Sequence, residues 1–254
     1  MNPLYRLATA PLVALTLTTL ALPSAHAAPI TWGTPQTISG DSDVVTTGAL
    51  VYAYNLGPSN VASSTVNGVP FSAFAFPSIS GNASGTSVTV GSVTISEFPG
   101  DLVAWNTLGS GSAPYANLSS AYRVLLDSCG SSGQPNTITL SLGGLTNGQQ
   151  YAFQWWASNA APLPPFAAVA ADATNAVTLD SNLTNAAGGL GQFVTGTFTA
   201  DGVSQSINFN AVGGAGPLIN AFQVRAVPEP STCASLLAGL TCGGYSMFRR
   251  RRAR

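Results

Sequence analysis

Two pairs of carboxylates are the residues that could do chemistry in this chain. Glu97 lies four residues before Asp101, and Asp127 with Asp172 forms a second candidate pair. Two carboxylates that face one cleft suffice for glycoside hydrolysis. Nothing in the sequence sets the pKa values of either pair apart, as a general acid and its partner require. We therefore expect no enzyme, and an acidic glycosidase is the last of the alternatives.

Other catalytic classes lack their residues. The chain has no lysine, and its one histidine is His26, near the N-terminus. A mature chain without this segment cannot use Ser-His-Asp or Cys-His catalysis, histidine metal sites or lysine Schiff bases. No glycine-rich phosphate loop leads from a strand into a helix, so the sequence gives nucleotide binding no support.

Aromatic residues indicate sugar binding as a second kind of chemistry. Trp155 and Trp156 lie on opposite faces of one predicted strand, because side chains alternate along a strand. If Trp155 faces the core, a partly exposed Trp156 could stack on the apolar face of a pyranose. Trp105 and Tyr115, in a segment rich in Gly, Ser and Pro, are further candidates. Ordinary core packing is the alternative for each of them.

Asp41 and Asp43 are candidate metal ligands. They lie two residues apart in a polar segment before the first strong strand. Calcium takes carboxylate oxygens from such loops together with backbone carbonyls, although no full EF-hand loop is present. A structural calcium ion is the one cofactor that the sequence suggests, and a simple turn is the alternative.

The charge of the central body excludes one class of partner. Residues 28–226 contain two arginines against eight carboxylates, a formal charge of −6. A protein that binds the phosphate backbone of nucleic acid needs clustered cations, so we expect no nucleic-acid partner. This body also contains a single cysteine, Cys129, which cannot form an internal disulfide. It is expected to be buried, and a reactive thiol is the alternative.

Alternating apolar residues predict a body made mostly of strands. The predicted strands cover 49–55, 87–98, 137–142, a segment from 151, 193–199, 203–209 and 218–225. Asn147-Gly148 and Asp201-Gly202 predict tight turns, and hence hairpins between the strands on either side. Helical spacing predicts one short helix through Leu118 to Leu126, with Asn117 or Ser119 as its N-cap. Many short strands favour an all-β fold, an antiparallel β-sandwich or jelly roll over 28–226.

The N-terminal segment, 1–27, is typical of a secretory signal peptide. Arg6 precedes an apolar stretch over 7–22, and Ala25-His26-Ala27 forms a small-x-small cleavage site. Cleavage there would give a mature chain beginning near Ala28 or Pro29. An uncleaved membrane anchor is the alternative.

The C-terminal segment, 227–254, has three parts. It opens with Val-Pro-Glu-Pro-Ser at 227–231 and continues with an uncharged, moderately apolar run over 232–248. It then carries the arginines Arg249, Arg250, Arg251 and Arg252. Such an order predicts an extended tether, a short transmembrane-like helix and a positively charged stop at the cytoplasmic face.

This order of motifs resembles the PEP-CTERM sorting signal of bacteria that make an extracellular polymeric matrix. In that family an exosortase, a membrane-embedded sorting protease, recognises the signal and removes the tail near the Pro-Glu-Pro. The resemblance implies that Pro228, Glu229 and Pro230 are the recognised residues and that the four arginines hold the substrate in register. A plain C-terminal anchor is the alternative. The body, from Ile30-Thr31-Trp32-Gly33 onward, resembles a galactose-binding-domain-like jelly roll that recurs in PEP-CTERM proteins.

These patterns together predict an exported, non-catalytic protein of the cell surface, outer envelope or extracellular matrix. Its precursor would associate transiently with the membrane through the tail, where an exosortase-type protease would process it. A module that binds extracellular polysaccharide is the first alternative.

Overall fold

The structure is a computed structural model that describes residues 28–76, 87–98, 102–106, 108–132, 137–161, 167–171, 175–212 and 216–228. The predicted signal peptide, the predicted sorting signal from Glu229 onward, and the two carboxylates Asp101 and Asp172 lie outside these residues. Within the described ranges, no helix is long and apolar enough to cross a membrane.

Strands dominate the part of the chain that the structure describes. In chain order they are β1 (Thr31–Trp32), β2 (Gln36–Thr37), β3 (Ala49–Gly57), β4 (Ser64–Val66), β5 (Val69–Ala75), β6 (Ser87–Val90), β7 (Val93–Phe98), β8 (Leu102–Trp105), β9 (Cys129–Ser132), β10 (Thr137–Gly143), β11 (Gln150–Ala157), β12 (Ala167–Ala171), β13 (Ala176–Asp180), β14 (Gln192–Thr199), β15 (Ser204–Val212), β16 (Leu218–Ile219) and β17 (Ala221–Ala226). The α-helix α1 (Ser120–Leu126) lies between β8 and β9. The predicted all-β class with one short helix is therefore confirmed.

The strands form two large sheets and one small one. The larger sheet has the order β1-β14-β11-β17-β3-β5-β4, with β2 also paired to β14. The second has the order β13-β12-β15-β10-β7-β6, and the third has the order β16-β9-β8. This arrangement is consistent with a β-sandwich. One pair departs from the predicted antiparallel sheet, because β3 and β5 run parallel.

The main core lies between the two large sheets. Trp155 on β11 contacts Phe209 on β15 edge to face, with ring centroids 4.9 Å apart. Phe153 and Phe222, on neighbouring strands of the larger sheet, pack 6.0 Å apart on the same side. Burial of these large side chains is the main stabilising contribution to the fold.

Both predicted hairpins are wrong, because each turn connects strands of different sheets. β10 and β15 belong to the second sheet, whereas β11 and β14 belong to the larger one. The two connections instead bond to each other: Gly148 N donates to Ala200 O at 2.7 Å, and Leu145 N donates to Val203 O at 3.1 Å. Gly148 has the positive φ expected of it, 81°, so the turn forms but does not close a hairpin.

A second apolar layer covers the outer face of the larger sheet. The side chains of α1 that face this sheet are Tyr122, Leu125 and Leu126, and all three are buried. They pack with Trp156 of β11 and Phe71 of β5 in one cluster. The predicted helix is confirmed, and so is Ser119 as its N-cap, since Ser119 Oγ accepts a hydrogen bond from Tyr122 N.

Candidate functional site

Trp156 is not a surface for a sugar. Its side chain lies on the Gln154 side of β11, as strand alternation predicts, yet it is fully buried. Its ring packs edge to face against Phe71 at 5.7 Å, and its Nε1 donates a hydrogen bond to Tyr122 Oη at 2.8 Å. The prediction of a partly exposed indole is wrong because α1 covers this face of the sheet.

The prediction of Tyr115 as a stacking residue is also wrong. It lies in a short 3-10 turn, Tyr115–Asn117, and only 2% of its surface is exposed. Its hydroxyl donates to the carbonyl of Arg123 at 3.1 Å, which fastens the turn to α1. Burial, followed by the nearby Asp127 carboxylate, raises the pKa of Tyr115 well above its usual value.

Trp105 keeps the property that a sugar platform needs. Its side chain is 55% exposed, and no other aromatic side chain in the described ranges is classed as exposed. It ends β8, opposite Cys129, whereas a segment rich in Gly, Ser and Pro is typical of a loop. An exposed indole at the end of a strand is held in place by the strand and remains open to a ligand.

The carboxylate of Asp43 is surrounded by hydrogen-bond donors. It accepts from Ser39 N at 2.7 Å, Ser39 Oγ at 2.6 Å, Gly40 N at 3.0 Å and Tyr122 Oη at 3.1 Å. These bonds close the turn before β3 and tie it to α1. A metal ion would have to displace some of these donors, so the calcium site stays a prediction that the geometry does not favour.

Asp41 is bound in a similar way. Its Oδ1 accepts a hydrogen bond of 2.6 Å from Ser119 Oγ, the same hydroxyl that caps α1. Asp41 and Asp43 begin and end one 3-10 turn. Both candidate metal ligands therefore hold α1 on the sheet.

Cys129 is fully buried, as predicted. Burial raises the pKa of its thiol to about 12, partly offset by a backbone hydrogen bond from Trp105. The thiol is therefore protonated at neutral pH and is not a nucleophile.

A groove lined by both polar and apolar groups lies beside α1 and is a candidate site. It consists of two adjoining hollows of about 420 and 330 Å³. Val124 and Asp127 line both hollows and form the ridge between them. We call this surface the α1 groove. Its further lining residues are Gly109, Ser110, Gly111, Tyr115, Ser120 and Arg123 in the first hollow, and Asn60, Val61, Ala62, Asn106 and Ser128 in the second.

The end of α1 positions the two charged residues of the groove. Asp127 is the C-cap, and its N–H donates to Arg123 O. Its Oδ1 accepts from Gly109 N at 2.8 Å, so the loop before α1 closes over the helix end. A Cβ at Gly109 would lie 2.6 Å from that Oδ1, so a larger residue here would displace the Asp127 carboxylate.

Arg123 and Asp127 have unusual surroundings within the groove. Burial raises the pKa of Asp127, although the hydrogen bond from Gly109 opposes this shift. The Nε of Arg123 is buried and has no hydrogen-bond partner among the described residues. A buried donor without a partner lowers the stability of the folded state.

The second hollow ends at two amides from distant loops. Asn106 follows Trp105 directly, and its Nδ2 donates to Asn60 Oδ1 at 3.4 Å. The exposed indole of Trp105 is thus next in the chain to a residue that lines the groove. Amides both donate and accept hydrogen bonds, which suits the hydroxyls of a sugar.

The two carboxylate pairs proposed for a glycosidase are not assembled by the described residues. Glu97 is 3% exposed within β7, whereas Asp127 lies on the surface groove. Asp101 and Asp172 lie outside the described residues. The described residues therefore provide no geometric support for the glycosidase alternative.

The sequence contained a signal for some of the groove residues. Arg123 and Asp127 are four residues apart at the end of the predicted helix, a spacing that places both on one side of it. Asn60 and Asn106 lie in separate loops, and no local pattern predicts that they meet.

No protein-family model and no curated protein matches the sequence. Among solved structures, the chain is similar to one described as "Structural basis for the promiscuous specificity of the carbohydrate-binding modules from the beta-sandwich super family". The sequence identity is 14%, the match covers 60% of this chain and 71% of that chain, and the TM-score is 0.17. A TM-score this low does not establish a shared fold, and what that protein binds is not assigned to this chain. The resemblance of the tail to the PEP-CTERM signal rests on its motif alone.

Proposed function

We propose that this protein is an exported, non-catalytic component of a bacterial cell surface or extracellular matrix. A signal peptide over 1–27 directs its export, and an exosortase-type protease processes the tail over 227–254. The order of Pro228-Glu229-Pro230, apolar run and arginines supports this proposal.

The point at which the described fold ends, just before Glu229 in the sequence, is the observation that carries the proposal. β17 is an interior strand of the larger sheet and ends at Ala226. Val227 still bonds to the fold: its N–H donates to Gln150 O at 2.9 Å, and its carbonyl accepts from Gln149 Nε2 at 2.7 Å. Pro228 is exposed. Cleavage after this point would remove no strand that the structure describes.

Intact-mass measurement of the surface-localised protein from its native host tests this proposal. We expect a mature form that begins near Ala28 and lacks Arg249 to Arg254. Replacing Glu229 by Ala should leave the precursor uncleaved, whereas Glu97→Gln is a control outside the motif. A surface form that retains the arginines would show that the tail is a plain anchor.

Carbohydrate binding is the second candidate function, and the α1 groove is the observation that favours it. The groove combines amide, hydroxyl and charged side chains, and the exposed Trp105 is next in the chain to Asn106, one of its lining residues. Sugar recognition uses polar groups and aromatic rings together. Binding of the full chain to a glycan array, with Trp105→Ala for comparison, tests this function. No binding to any glycan would refute it.

A further inference from the structure

The two arginines of the body, Arg123 and Arg225, have different roles. Arg225 is 8% exposed. Its guanidinium donates to the carbonyls of Thr46, Thr47 and Gly48 at 2.9 to 3.2 Å. The hydrogen-bond donors of Arg225 are therefore used by the backbone before β3. Of the cations in the described residues, this leaves Arg123 to bind an external partner.

The α1 groove balances this cation with one carboxylate. Arg123 and Asp127 both line the first hollow, and its other lining residues are uncharged. Asp127 accepts one hydrogen bond through Oδ1, and the described residues give its Oδ2 no donor. The hollow thus offers a donor group and an acceptor group with a net charge of zero, within a body whose formal charge is −6.

This balance selects the charge of the ligand. A uronate would attract Arg123, but it would meet the Asp127 carboxylate in the same hollow and the negative body around it. An amino sugar would attract Asp127 but would meet Arg123. A neutral sugar loses neither contact, since one hydroxyl can accept from the guanidinium while another donates to the carboxylate.

The shape of the groove adds a requirement for length. Each hollow is within the size range of small-molecule sites, and the two adjoin across Val124, which is 39% exposed. An apolar side chain on the ridge would contact the apolar edge of a ring that crosses it. We infer that the α1 groove binds a neutral oligosaccharide of at least two sugar units, with Arg123 and Asp127 holding hydroxyls of one unit. This inference rests on carbohydrate binding as the proposed second function.

Affinity electrophoresis of the full chain in gels with a neutral glucan, a neutral mannan, polygalacturonate or chitosan tests the inference. We expect a neutral polymer to retard the protein, with little dependence on salt. Asp127→Asn and Arg123→Gln should each weaken retardation by about ten-fold, because a charged hydrogen-bond partner is lost. Asp201→Asn is the matched control, since Asp201 is exposed at a turn outside the groove.

The possible outcomes test three separate statements: that the ligand is neutral, that it binds in the α1 groove, and that the protein binds carbohydrate at all. Preferential, salt-sensitive binding of polygalacturonate or chitosan would overturn the inference and leave carbohydrate binding standing. Retention of neutral-polymer binding by both groove variants would show that sugars bind elsewhere. Binding to none of the four polymers would overturn the inference, and an array that also shows no binding would refute the second function itself. Melting curves of the variants confirm that each one is folded.

Discussion

Trp156 Nε1 donates a hydrogen bond to Tyr122 Oη at 2.8 Å, and the same hydroxyl donates to Asp43 Oδ2 at 3.1 Å. These two bonds connect β11, α1 and the turn before β3. Burial, and then the charge of Asp43, raise the pKa of Tyr122 well above its usual value, so its hydroxyl stays protonated as a donor. The hydroxyl of Tyr122 thereby adds a polar connection to the apolar packing between α1 and the larger sheet.

Tyr122→Phe tests this connection. Removal of the hydroxyl leaves the buried indole N–H without an acceptor and takes one donor from Asp43, so we expect a loss of about 1–3 kcal/mol in the free energy of unfolding. Chemical denaturation measures it. Tyr54→Phe is the control, because its hydroxyl makes only a long bond of 3.4 Å to Val90 O. Equal effects of the two substitutions would show that the Tyr122 bonds contribute nothing specific.

Substitution of Asp43 distinguishes between two interpretations of its loop, a purely structural turn and a calcium site. Because four donors already meet its carboxylate, we expect Asp43→Ala to lower the melting temperature equally in calcium and in a chelator. Asp41→Ala, which removes the acceptor for one hydroxyl, should lower it less. A loss that occurs only when calcium is present would establish the metal site instead.

Local patterns predicted the elements of this fold, but they did not predict which strands pair. The helical spacing around Tyr122 and the cap at Ser119 are properties of neighbouring residues, and both are confirmed. Gly148 has the positive φ that its turn pattern predicts, whereas Gly202 does not, and in both cases the strands on either side belong to different sheets. A turn residue fixes the local backbone angles, whereas the sheet that the next strand joins depends on distant side chains.

The same limit applies to the candidate site. Alternation placed Trp156 on the Gln154 side of β11, but only tertiary packing shows that α1 covers that side. The α1 groove brings together Asn60, Asn106 and Asp127 from three segments of the chain. The exposure of Trp105 could be predicted from the sequence because its segment is rich in Gly, Ser and Pro, whereas its use as a sugar platform stays a prediction.

Cys129 should be inert in the folded protein. Its thiol has a pKa of about 12 and no exposed surface, so iodoacetamide at pH near 8 should not modify it. Peptide mapping after brief alkylation should find Cys129 unmodified in buffer and modified in denaturant. Cys233 and Cys242, which lie outside the described residues, must be scored separately. Rapid modification of Cys129 in buffer would contradict its burial.

The Asp127 carboxylate should lower the free energy of unfolding at neutral pH, although it contributes to the proposed binding of a neutral sugar. Its pKa is raised, mainly by burial, so the folded state binds the proton more tightly than the unfolded state does. The stability from that proton is present below the ordinary aspartate pKa and is lost as the pH rises through the raised value.

Asp127→Asn keeps an oxygen for Gly109 N without the buried charge. We therefore expect it to melt at a slightly higher temperature than the natural chain at pH 7, and the difference to disappear near about pH 4. Thermal denaturation across this range measures it, with Asp201→Asn as the exposed control. A variant that is at least as stable as the natural chain but binds neutral polysaccharide more weakly separates the role of Asp127 in the groove from any role in folding. A variant that is less stable at every pH would show instead that the carboxylate holds the groove together.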